Sequence, residues 1–64
     1  MDARIEALTP WQRIVYDLCW TAAVHHDERG KEAGRELDRM KKERSVEYEQ
    51  AFQVWTTIMY EILY

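Results

Sequence analysis

Thr9-Pro10-Trp11-Gln12-Arg13-Ile14-Val15-Tyr16-Asp17-Leu18-Cys19-Trp20-Thr21-Ala22 carries both a start signal and a period. Thr9 is a good N-cap, and Pro10 suits the first helical position, where its missing N–H had no partner in any case. Gln12, three residues after the cap, can reach back to the Thr9 amide and close a capping box. Behind this start, Trp11, Ile14, Val15, Leu18 and Ala22 recur at the three-, four- and seven-residue intervals of one helix face. The stretch predicts a helix from Pro10 to about Arg29, stopped by Gly30, with Arg29 favourable near the negative helix end.

Upstream, Asp2 can cap a single turn running through Ile5 and Leu8. Downstream, the chain from about Glu32 to Leu63 contains no proline and reads as a second, longer helix. Its first half is dense in charge. Its second half carries Tyr48, Ala51, Phe52, Trp55, Met59, Ile62 and Leu63 as one stripe. The expected fold is all-α: a short N-terminal turn and a helical hairpin in one domain spanning 1–64, dimerising into a four-helix bundle. The alternative is a three-helix bundle with a break near Ser45, which can cap a fresh helix.

Size makes a second chain attractive. A 64-residue chain buries only about 60% of the surface exposed when unfolded, and its core supplies roughly 3–5 kcal/mol. Short chains often add a disulfide, a metal or a partner. Cys19 is the only cysteine, so no intrachain disulfide can form, and a lone thiol suits the cytoplasm. The first residues, Asp2-Ala3-Arg4-Ile5-Glu6, show none of the apolar run of a secretory signal. Ala51 to Tyr64 is too short and too polar to span a bilayer, and its polar side lacks the Lys and Arg of a membrane-surface helix.

Helix geometry points to surplus apolar surface. Successive residues advance by about 100°, so Trp11, Val15, Leu18 and Ala22 face one way while Trp20, flanked by Tyr16 and Val24, faces nearly opposite. In a two-helix hairpin, Tyr16 and Trp20 would stand in water. The second helix would also overhang the first beyond about Phe52. The candidate partner interface is therefore Tyr16, Trp20, Val24, Trp55, Met59 and Ile62, residue types enriched at binding hot spots. Lys41 and Arg44 interrupt the apolar line and are candidate register or charge contacts between copies.

Chemistry-bearing patterns are weak. His25 and His26 diverge by about 100° on a helix and cannot share an ion. Cys19 and His26 are two turns apart, roughly 10 Å. No metal site, cofactor or catalytic group is expected, and Cys19 reads as a small buried hydrophobe. Seven of the nine basic residues lie between Arg29 and Arg44. Their stripe runs beside Glu32, Glu36, Glu43 and Glu47, and pairs such as Asp38–Lys42 and Arg39–Glu43 make a solvated helix. With a net charge of -3 and a pI near 5.3, the protein lacks the basic surface that phosphate-backbone binding requires.

These observations lead to an expectation of a non-enzymatic helical interaction or regulatory module acting as a homodimer on an unidentified protein partner. Neither nucleic acid nor membrane is expected as a partner. The alternative is a monomeric inhibitor or adaptor, of the size found in phage and other mobile elements, that binds a host protein complex. A nucleic-acid regulator ranks below both.

Overall fold

The computed structural model describes residues 2–64, and every regular element among them is a helix. They are α1 (Ala3–Glu6), α2 (Pro10–Val24), α3 (Glu28–Glu43) and α4 (Ser45–Leu63). The helices pack on one another, with α2 against both α3 and α4.

The start of α2 follows its capping chemistry. The Thr9 hydroxyl accepts from the Gln12 amide at 3.2 Å, and the Gln12 side-chain oxygen accepts from the Thr9 amide at 3.1 Å. Asp2 caps α1, accepting from the Arg4 amide at 2.8 Å. That turn ends at Glu6, and Leu8 goes on to pack against the core.

The end of α2 differs from expectation. The helix stops at Val24, not near Arg29, and His25 is extended. The physical cause lies downstream. Asp27 accepts from the Arg29 amide at 3.1 Å and caps α3, so a strong N-cap reclaims Glu28 and Arg29 for the next helix. Gly30 is then a buried residue of the first turns of α3, not a terminator. No glycine has positive φ. Gly30 is needed for close approach instead: a Cβ there would run into the His25 carbonyl oxygen.

The expected long helix from about Glu32 to Leu63 is also corrected: the chain takes the alternative, a break near Ser45. It breaks at Arg44, whose φ of -143° and ψ of 74° leave the helical region. No local breaker causes this; coverage does. An unbroken helix would be about 48 Å long against about 22 Å for α2 at 1.5 Å per residue. Breaking at Arg44 folds the surplus back, so Leu37 and Met40 of α3 and Tyr48 and Ala51 of α4 all join Val15 and Cys19 of α2 in one core. Two backbone bonds flank the break: the Arg44 amide donates to Met40 O and the Tyr48 amide donates to Arg44 O. Ser45 does not supply the cap: Arg44 occupies that position and no side chain caps α4.

Candidate protein interface

The aromatic residues of α2 and α4 form a chain of rings. Tyr16 and Trp20 meet edge-on with centroids 6.5 Å apart, and Trp20 meets Trp55 edge-on at 5.8 Å. Phe52 tilts against Trp55 at 5.7 Å and stacks on Tyr48 at 6.1 Å. Such geometries suit the quadrupoles of the rings. Gln12, buried at the N-terminal end of α2, donates to Glu47 O at 3.1 Å and to the Gln50 side chain at 3.0 Å. With Gln12 beside Glu47 and Trp20 beside Trp55, α4 runs in the same sense as α2.

This places the expected interface residues in two groups. Tyr16 is buried, and Trp20 and Trp55 are half-buried against each other. The premise that Tyr16 and Trp20 stand in water is overturned: the break at Arg44 folds α4 back so that Trp55 meets Trp20, and Tyr16 is buried beside Trp20. Val24 and Ile62 are 62% and 66% exposed. Both lie toward the same end of the α2–α4 pair, with Met59 half-buried. The apolar stripe of α4 thus outruns the core. Ile58 is its last buried member, and Tyr60, Ile62, Leu63 and Tyr64 are all exposed. Tyr60 and Tyr64 stack on each other at 5.4 Å. The indole nitrogen of Trp55 is buried without a hydrogen-bond partner.

A polar clasp borders this end. The Arg4 guanidinium forks onto Glu61 with bonds of 3.1 and 2.7 Å and also donates to Asp2 at 2.6 Å. The side-chain and backbone donors of Arg4 hold the Asp2 carboxyl down to about 2, and the Arg4 side chain lowers Glu61 too. Arg4 itself is shifted upward by hydrogen bonds to Asp2 and then Glu61.

Of the two charge contacts singled out from sequence, Arg44 lies over the Trp11 ring at 5.3 Å and pairs with Glu47 at 3.4 Å. Lys41 is exposed. Along α3, three of the six basic residues are paired with acids of the same helix. Arg39 bridges Glu36 and Glu43, while Lys31 and Arg35 approach Glu28 at 3.8 and 3.9 Å. No ion pair joins Asp38 and Lys42. The Cys19 thiol is buried, and burial pushes it up to about 11. Among the described residues, no three His, Cys, Asp or Glu side chains are grouped to hold a metal ion, and no helix is long and apolar enough to cross a membrane.

Sequence reasoning missed Gln12 as the clamp between α2 and α4. Its capping role was legible, but its second, amide-donating side was not. It also missed Asp27 as a cap, although Asp directly before Glu-Arg-Gly is an ordinary start signal. The chain matches no family model, no curated protein and no solved structure.

Proposed function

We propose that this chain is a non-enzymatic helical interaction module that works as a homodimer and presents the free α2–α4 end to a protein partner. The observation that carries the reading is the run from Tyr60 to Tyr64. Four of its five residues are large, apolar or aromatic, and 56–93% exposed. Isolated exposed apolar residues are ordinary, but clustered ones mark interaction surfaces, and Tyr60, Leu63 and Tyr64 share one side of α4, with Ile62 on the side of Ile58. Val24, exposed, and Met59, half-buried, lie toward the same end of the α2–α4 pair. The same reading puts the protein in the cytoplasm, supported by a single buried thiol. It gives Cys19 no catalytic role, supported by the burial of the thiol in apolar surroundings, which disfavours the thiolate.

A monomeric adaptor is the second reading, and one observation favours it. The accessible surface of 4627 Å² is close to the roughly 4,400 Å² expected of an isolated chain of 7.8 kDa. A nucleic-acid regulator is weaker, since Lys31, Arg35 and Arg39 of α3 already face acids of their own helix and the net charge is -3.

Light scattering over a dilution series tests the reading. A mass rising toward twice 7.8 kDa supports the homodimer. A mass of 7.8 kDa up to about 500 µM, a concentration at which even weak dimers form, removes it in favour of the adaptor.

A further inference from the structure

The outward face of α4 is left unused by the fold. Val46, Glu49, Gln53, Thr56, Tyr60 and Leu63 follow at intervals of three, four, three, four and three. That spacing keeps them on one seam of a helix. Val46, Tyr60 and Leu63 are more than half exposed, Glu49 and Gln53 are exposed, and Thr56 is half-buried. The seam lies opposite Ala51 and Ile58, which face the core.

Two features single it out. The first is charge. A third of the chain is charged, yet Gln50 to Tyr60 contains no Asp, Glu, Lys or Arg. Three turns of solvent-facing helix without charge have the composition of an interface centre. They also let an acidic chain approach its own copy without repulsion. The second is self-complementarity. Set antiparallel about an axis between Gln53 and Thr56, the seam places Val46 opposite Leu63, Glu49 opposite Tyr60, and Gln53 opposite Thr56, each pairing made twice. Apolar meets apolar at the ends. The Tyr60 hydroxyl can donate to the Glu49 carboxylate. The Thr56 hydroxyl donates to Phe52 O at 2.9 Å, which leaves its oxygen free to accept from Gln53. A parallel arrangement would instead stack Glu49 on Glu49.

We propose that a second copy of this chain docks antiparallel along this seam, making an isologous two-fold α4–α4 contact. The proposal rests on the homodimer reading and names the surface through which it forms. One helix pair covers less than the ~800 Å² per partner of a standard interface, so the dissociation constant falls at about 10–100 µM. The Val24–Ile62 end stays free on both copies.

Sedimentation velocity from about 5 to 500 µM, a range bracketing that affinity, on the full chain and three variants tests it. All substitutions are at exposed positions, and helicity is checked by circular dichroism. Tyr60→Glu sets two glutamates opposite each other at both Glu49–Tyr60 pairings and is expected to raise Kd at least about tenfold. Glu49→Lys with Tyr60→Glu converts both contacts to ion pairs and is expected to return Kd to within about threefold of the parent. Glu49→Lys alone should dimerise no worse than about threefold below the parent, lysine being tolerated beside a phenol ring. A parent dimer indifferent to Tyr60→Glu, or a double variant as weak as Tyr60→Glu, overturns the seam while leaving the homodimer standing. A parent that stays monomeric throughout overturns both.

Discussion

The two glycines of α3 should respond in opposite ways to the same methyl group. Gly34 has open space where its Cβ would lie, and Gly34→Ala should gain the helix-propensity difference, about 0.5–1 kcal/mol. Gly30 sits four residues earlier on the same helix, and a Cβ there meets backbone, the His25 carbonyl oxygen, with the carbonyl carbon at 2.9 Å. A backbone obstacle cannot rotate away, so α3 or the His25–Asp27 connection must shift. Overpacking of this kind costs about 1–3 kcal/mol, which outweighs the propensity gain and leaves Gly30→Ala destabilised by up to about 2 kcal/mol. Against a total of roughly 3–5 kcal/mol this is a large fraction. At about 4–8 °C per kcal/mol for a domain of this size, Gly34→Ala should melt about 2–8 °C higher and Gly30→Ala up to about 16 °C lower. Thermal circular dichroism at fixed concentration reads both. If Gly30→Ala melts as high as Gly34→Ala, the short α2–α3 connection described above is wrong.

Three further outcomes follow from the same structure. Gln12→Ala removes one arm of the α2 capping box and both bonds to α4, and should lower stability by about 1–3 kcal/mol in urea unfolding; a change below the error of the method would mean that the clamp is idle. Asp2 and Glu61 have lowered carboxyl pKa values, so their contribution is fully present above the unfolded carboxylate range and fades as pH falls toward about 2 for Asp2. Amide exchange in residues 3–8 should therefore accelerate, relative to the rest of the chain, between pH 5 and pH 2, and Arg4→Ala should flatten that dependence. Cys19, buried and pushed up to about 11, should resist alkylation at pH 8 in native protein and react rapidly in urea; fast native labelling would contradict its place in the core.

Local chemistry made part of this fold readable in advance. The Thr9-Pro10-Trp11-Gln12 start, the apolar stripe of α2 and the stripe beginning at Tyr48 are short-range signals; the start appears as expected, whereas each stripe is buried only in part, with Ile14 of α2 and Ile62 and Leu63 of α4 exposed. The ends of the helices were harder, because they were set by competition between distant residues. Asp27 outcompeted the continuation of α2, and Gly30 serves a close approach that sequence alone cannot distinguish from a helix stop. The break at Arg44 lies beside Ser45, the position of the alternative fold, but Ser45 makes no cap and neither proline nor glycine marks the bend. It exists because folding α4 back covers more apolar surface than extending it, a tertiary gain that overrides helix continuity. That one bend also decided which candidate interface residues stayed free: it buried Tyr16, paired Trp20 with Trp55, and left Val24 and Ile62 exposed. The outward seam of α4 escaped notice because its spacing is helical but half its members are polar.

One copy of this chain leaves α4 partly uncovered, and in the proposed dimer a second copy covers it. Amide hydrogen exchange measured at about 5 and about 500 µM, below and above the expected dissociation constant, addresses it directly. The expected result is slower exchange along α4 at the higher concentration, with α3 unchanged. Identical exchange in α4 at both concentrations, from a chain that sediments as a single copy, would contradict it.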